Sequence, residues 1–337
     1  MNLFVRNLCA AAFIVIIIAQ TGCGSTEPVK KSRFMLNTSC TITVYGSNGE
    51  KAIDEAFALG EAYESMLSVT IEGSDVYKIN HSSGGSVEVS ADTIRILEKA
   101  IYYSELSNGL FDVSAGALTT LWGFGENRKT VPPIDEVAAA METIGYKDIK
   151  IDGNFVTLLR PGAQLDFGAI AKGYIADRMV ELLKDKNLIG GIVNLGGNVV
   201  TFGAKPGGES WRVGIQQPFA DRSETVGTVS VAEKSVVTSG IYERSFIGAD
   251  GTFYHHILDP GTGYPVNNDI SGVTIISDLS VDGDGLSTAC FLLGVEKAAA
   301  LIEDIPDTEA IFINKNGTII STSGIGTEIP FELAGME

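Results

Sequence analysis

Two turn signals limit the fold of this chain more than any other feature. Asp152-Gly153-Asn154 separates the strand-like stretches 149–151 and 155–159, and Asn316-Gly317 separates 310–313 from 318–321. Asn or Asp beside Gly accepts the left-handed backbone of a tight hairpin, and a hairpin pairs its two strands antiparallel. Further strand patterns cover 41–45, 192–195, 199–202, 211–215, 226–231, 236–238, 245–247, 253–258 and 272–276. Helical spacing appears over 52–67, with Ala56, Leu59, Tyr63 and Leu67 on one face, and over 93–106, with Ile94, Leu97, Ile101 and Leu106. It recurs over 134–144, 170–186 and 286–302. Helices and hairpins are mixed without strict β-α-β alternation. The expected class is therefore α+β: mostly antiparallel sheets with packed helices, not a doubly wound parallel sheet.

The N-terminus reads as an export signal. Arg6 precedes the apolar run 8–19, which is followed by Gln20-Thr21-Gly22-Cys23. Twelve residues fall well short of the ~20 that span a bilayer. A basic start, a short apolar stretch and small residues before a cut site form a secretory signal over 1–22. Thr-Gly-Cys has the form of a lipobox, with Cys23 as the lipidated new N-terminus and a Gln where Leu is usual. The polar residues 24–33 have no apolar period, so 23–33 is expected to be a flexible tether. No repeat or low-complexity stretch follows, and one compact unit over 34–337 is the simplest organisation.

The formal net charge is −18. Such an acidic chain does not suit nucleic acid or an anionic lipid surface. Of four cysteines, Cys9 leaves with the signal and Cys23 carries lipid. Cys40 and Cys290 either pair in an oxidising compartment or sit buried as small hydrophobes. No Cys/His spacing suits zinc.

Residues 165–177 read as a strand end, a glycine turn and a helix start near Ala169. Free N–H groups at such a start favour phosphate. Asp166 is either a ligand group or that helix's cap, and Lys172 either reaches the ligand or is solvated. In Asp282-Gly283-Asp284-Gly285, Asp284 precedes an apolar helical run and Thr288 lies four residues on. A carboxylate and a hydroxyl would then share one side of a helix N-terminus. Such oxygens suit Mg²⁺ with phosphate completing the shell; capping is the alternative. His255 and His256 alternate across a strand before Asp259-Pro260-Gly261, so only one faces a given side, and spacing does not choose between them. Gly196-Gly197 lets backbone approach something closely, and Asp112-Val113-Ser114 again places Asp near Gly. None of these is a Walker or Rossmann fingerprint.

Taken in order, FDVSAGAL (111–118), LDFGAIAKGYIAD (165–177), VNLGGNV (193–199), TSGIYER (238–244), HHILDPGTGYP (255–265) and DGLSTACF (284–291) resemble the ApbE family of flavin transferases. The resemblance spans Met35 to about Phe312. It implies a T-fold-like α+β unit and Mg²⁺-dependent transfer of FMN from FAD to a protein Thr or Ser hydroxyl, with release of AMP. It implies Mg²⁺ held by the Ala169 carbonyl, Asp284 and Thr288. It implies FAD contacts from Met35, Asp112, Val113, Ser114, Asp166, Lys172 and His256. The acceptor would be an exported protein, such as a subunit of a respiratory redox complex. The enzyme would be lipid-anchored in the membrane, facing the periplasm or cell exterior. His256 would sit near the reacting pyrophosphate, and either it or Asp284 would take the hydroxyl proton. Gly261 stands where many relatives carry Arg. Residues 68–80 differ between flavin-transferring and FAD-hydrolysing relatives, so an FAD pyrophosphatase is the alternative activity, and a non-catalytic flavin-binding lipoprotein the next.

Overall fold

The structure is a computed structural model, and it describes residues 27–126 and 128–335. The signal segment and Cys23 lie outside the described residues.

Eight strands form one antiparallel sheet whose spatial order is the chain order. They are β1 (Val29–Met35), β2 (Thr38–Tyr45), β3 (Gly190–Leu195), β4 (Asn198–Gly203), β5 (Ser235–Gly240), β6 (Ile270–Ser277), β7 (Glu309–Asn314) and β8 (Ile319–Ser321). Six helices are inserted between β2 and β3: α1 (Gly49–Leu67), α2 (Asp75–Asn80), α3 (Ala91–Leu106), α4 (Gly116–Trp122), α5 (Ile134–Met141) and α6 (Ala171–Lys184). Two more, α7 (Ser280–Leu293) and α8 (Val295–Glu303), lie between β6 and β7.

The sheet is covered on both faces, and strand alternation divides its side chains between two cores. On β7, Ala310 and Phe312 join the helix-side core, whereas Ile311 and Ile313 join the other. Helices cover the first face in strand order. α1 lies on β1 and β2, α6 on β3 and β4, α7 on β5 and β6, and α8 on β7. The second face carries a small sheet of Trp211–Gln216, Thr225–Val231 and Phe331–Leu333, whose Trp211, Val213, Ile215 and Val229 meet Val236, Ile276 and Ile311. Each such side chain taken from water contributes about 1.5–3 kcal/mol. Cys40 and Cys290 are free and buried in the helix-side core. No helix of the described residues is long and apolar enough to cross a membrane.

Several expectations are corrected here. Residues 29–33, read as tether, are most of β1 and pair with 40–44 of β2. Lys31 and Arg33 give this edge strand its polar look, and both pair with Asp54 of α1. The β1–β2 turn was not foreseen either. Leu36 and Asn37 both have positive φ, 53° and 56°, closing a two-residue hairpin. A leucine is uncommon in that region; its amide donates to Glu64 of α1 at 2.8 Å. The helix expected over 286–302 is two helices divided at Gly294, whose φ of 81° and ψ of 159° suit glycine alone. The strand expected over 253–258 breaks after His255, and Leu258–Asp259 pairs separately with Tyr264–Pro265.

The largest correction concerns Asp282-Gly283-Asp284-Gly285. Expected just before the helical run, Asp284 instead lies in the second turn of α7, which begins at Ser280. The two glycines serve packing. A Cβ at Gly283 would lie 2.8 Å from Val237, and one at Gly285 would lie 2.4 Å from the Tyr103 ring. Their absence lets α7 sit close to β5 and α3.

Candidate active site

The segment entering α6 is held from three sides. Asn80, the last residue of α2, grips the backbone of Leu165: its Oδ1 accepts from the Leu165 amide at 2.7 Å and its Nδ2 donates to the Leu165 carbonyl at 3.0 Å. The Asp166 amide donates to the Val113 carbonyl. Asp166 Oδ1 accepts from the Gly168 amide at 2.7 Å, and Oδ2 accepts from the Thr119 hydroxyl of α4 at 2.6 Å. Asp166 therefore closes the turn before the helix and does not cap it. α6 starts at Ala171, two residues later than expected, and its N-cap Ile170 offers no side-chain oxygen.

That missing cap comes from α7. Asp284 Oδ2 accepts from the Gly173 amide at 2.9 Å, and Oδ1 faces Lys172 Nζ at 3.3 Å. Asp284 is 3% exposed, so this ion pair is largely shielded from water. The carboxylate also sits at the positive end of α6. One turn along α7, Thr288 is half-buried, and its hydroxyl makes no hydrogen bond to a described residue. Ser239 of β5 reaches α7 through Ser287 at 2.7 Å, and Ser287 donates to the Asp284 carbonyl. That contact gives the 238–244 segment its place.

The two strand histidines separate clearly. His255 is buried, with Nε2 3.1 Å from the Val266 carbonyl and its ring edge-on to Phe291. Burial pushes its pKa down to about 4. His256 is half-buried, and its Nδ1 lies 3.3 Å from the Arg244 carbonyl. Loss of water around the ring holds it neutral, followed by the positive charge of Arg244; Lys172 is near enough to act in the same sense. His256, not His255, shares the site with Lys172.

His255 carries a testable consequence. Its ordinary pKa is 6.5 and its folded value about 4, so the unfolded chain binds the extra proton between those values. Stability is intact above pH 6.5 and falls as pH drops toward 4, by about 3 kcal/mol. Urea midpoints at pH 7.5 and 4.5 should show this fall, and His255→Gln should shrink it. An equal fall in the variant would remove the assignment.

Of the remaining expected residues, Met35 and Val113 have side chains buried in the helix-side core. Asp112 is turned inward: Oδ1 accepts from the Ser114 amide and hydroxyl, and Oδ2 accepts from the Tyr146 amide. Ser114 Oγ in turn accepts from the Gly145 amide. Together they pin 145–146 beside the turn at Asp166. Gly196-Gly197 closes the β3–β4 hairpin, and what approaches it is Thr38, 2.4 Å from where a Gly196 Cβ would stand.

The structure thus assembles Lys172, Asp284 and His256, with Thr288 one turn from Asp284 and Ala169 in the turn just before Lys172. Asp284 and Thr288 place a carboxylate and a hydroxyl one turn apart on α7, hard oxygens of the kind that suit a divalent cation. The described residues hold no cluster of three or more His, Cys, Asp or Glu suited to a metal. This candidate set has one carboxylate and no second acid to supply charge. Sequence reasoning missed Asn80, Thr119 and Asp177. Asp177 was the readable one, because it lies four residues after Gly173 and shares its helix face.

A cleft of about 950 Å³ lies elsewhere, at the start of α7 between α3 and α6. Asp284, Lys172 and His256 are not in its wall. Its bases are already matched by acids, as in Lys99–Asp282 and Lys184–Glu233.

Comparison with known proteins returns one consistent picture. The model of the ApbE family matches residues 36–312. An FAD:protein FMN transferase of Treponema pallidum (strain Nichols) is 35% identical over 336 residues, covering 93% of this chain and 92% of that protein. One from Klebsiella pneumoniae (strain 342) is 38% identical over 295 residues, covering 87% and 91%. The crystal structure of the ApbE protein from Thermotoga maritima superposes with a TM-score of 0.81 at 33% identity, covering 88% of this chain and 97% of that one. The flavin transferase ApbE from Vibrio cholerae gives 0.79 at 28% identity, covering 88% and 97%.

Proposed function

As the chain belongs to the ApbE family, we propose that it is an FAD:protein FMN transferase whose acceptor is a Thr or Ser hydroxyl. The observation that carries this reading is the shielded Lys172–Asp284 pair at the start of α6, with the unengaged Thr288 hydroxyl one turn away. A helix start, a lysine and hard oxygens in one place suit a pyrophosphate with a divalent cation.

Asp284, Thr288 and the Ala169 carbonyl would hold Mg²⁺, which when bound neutralises charge on the pyrophosphate. The α6 amides and Lys172 orient the phosphates. The acceptor oxygen forms a bond to the FMN-side phosphorus, the bond from that phosphorus to the bridging oxygen breaks, and AMP leaves with that oxygen. The hydroxyl proton goes to His256. Asp284 is engaged by Gly173 and Lys172, whereas His256, with Nδ1–H assigned to the Arg244 carbonyl, leaves Nε2 free as an acceptor. A bound pyrophosphate raises the basicity of a neutral imidazole beside it. Asp166, Asp112 and Ser114 serve the flavin nucleotide by fixing the loops around it, and Met35 and Val113 by their backbone.

The test is incubation with FAD and Mg²⁺, with and without a candidate acceptor protein, followed by a denaturing gel under ultraviolet light and assay of AMP. A fluorescent acceptor band with stoichiometric AMP is expected. AMP without protein-bound flavin would replace transfer by hydrolysis, and no AMP would remove the enzymatic reading.

The export signal and Cys23 support a lipid-anchored enzyme that modifies an exported protein, of the kind found in respiratory redox complexes. Cys23→Ala should move the protein from the detergent phase to the aqueous phase in a two-phase extraction. Continued detergent partitioning would rule out lipid at that cysteine.

A further inference from the structure

α6 and α7 hold each other at two points. α7, like α6, has no cap of its own: its N-cap Leu279 offers no oxygen. Its first two amides donate to Asp177 of α6, Ser280 N to Oδ1 at 2.8 Å and Val281 N to Oδ2 at 2.9 Å. The second point is the Asp284 carboxylate on the Gly173 amide. On each helix the two positions are four residues apart, 173 and 177 on α6, 280 and 284 on α7. They therefore lie one turn apart on a shared face. Between them the helices almost touch, since a Cβ at Gly173 would stand 2.2 Å from the Ser280 carbonyl oxygen.

This arrangement does more than cap a helix end. A local cap on α7 would satisfy an amide of the same first turn without reference to α6. A cap borrowed from α6 fixes how far α7 can slide along its neighbour, and so where Asp284 falls relative to Gly173 and Lys172. We propose that Asp177 is a positioning residue, which sets the register of α7 on α6 and thereby holds Asp284 at the cation and pyrophosphate site. The inference rests on the reading of Asp284 as a metal ligand; Asp177 itself touches no reacting group.

Two variants separate positioning from mere stabilisation. Asp177→Asn keeps the size of the side chain but presents an NH₂ where one amide now donates. Adding Leu279→Ser, at a residue 47% exposed, gives α7 a local cap in a position where Ser is favoured. Three quantities are read: melting temperature, hydrogen exchange of the Gly173 amide, and the Mg²⁺ concentration for half-maximal FAD turnover. Asp177→Asn should lower the melting temperature, expose the Gly173 amide to exchange and raise the Mg²⁺ requirement by about tenfold or more, the range seen when an outer partner of a metal ligand is lost. kcat at saturating Mg²⁺ should change far less. The double variant should regain melting temperature but neither Gly173 protection nor Mg²⁺ affinity. Recovery of all three by Leu279→Ser, or an unchanged Mg²⁺ requirement in Asp177→Asn, would overturn the proposal. Should the wild type turn over FAD without Mg²⁺, the metal assignment fails, and exchange at Gly173 alone decides on Asp177.

Discussion

Asp284→Ala is expected to reduce Mg²⁺-dependent flavin transfer by at least about a thousandfold while leaving a folded protein. The activity loss follows from the oxygen set. Asp284 is its only carboxylate, and the Thr288 hydroxyl and Ala169 carbonyl carry no charge to hold a divalent cation. The structural cost is smaller. Removing the carboxylate leaves the Gly173 amide without its acceptor, which costs about 1–3 kcal/mol. Lys172 is 25% exposed and can turn to water. Asp284→Asn separates the two effects: its carbonyl can still accept from Gly173, so stability should recover while activity stays low. Flavin on the acceptor, AMP and a thermal melt are the measurements. Turnover within tenfold of wild type in both variants would end the assignment of this carboxylate to the metal.

Gly173→Ala should be among the most damaging single-methyl changes in the chain. By helix propensity alone the substitution gains nearly 1 kcal/mol. Here sterics dominate, because the new Cβ meets the Ser280 carbonyl oxygen at 2.2 Å and Asp284 Cβ at 2.8 Å. The first obstacle is backbone and cannot rotate away, so α6 and α7 must separate. A net loss of about 3 kcal/mol is expected, the upper end for overpacking. In a chain of this size that is a fall of roughly 4–5 °C in melting temperature. Activity should fall with it, since the gap opens between Gly173 and Asp284. A melting temperature equal to or above wild type would show that the helices do not meet here.

Where side-chain period decides, the chain could be read. α1, α3 and α6 and most strands of the main sheet were visible from alternation or helical spacing, because burial on one face imposes it. What escaped notice depends on partners distant in sequence. Gly283 and Gly285 look like turn residues and are helical, because Val237 and Tyr103 need their missing side chains. Leu36 bears no mark of a turn; its left-handed backbone makes sense only with Glu64 beside it. At the site, the motifs point to Lys172, Asp284 and His256, and Asp284 was placed just before its helix where it lies in the second turn. Asn80 and Asp177 act on backbone groups 85 and 103 residues away, a distance that no local pattern encodes.

Edge strand β1 begins at Val29, six residues after Cys23. Six residues span at most about 20 Å, and the seven-residue strand adds about 24 Å before the turn at Leu36. Were Cys23 to carry lipid, the turn at Leu36 would lie no more than about 45 Å above the bilayer. An acceptor hydroxyl would then be reached only in a shallow layer near the membrane. A partner whose modifiable residue rides higher than this would go unlabelled, however well its surface fitted.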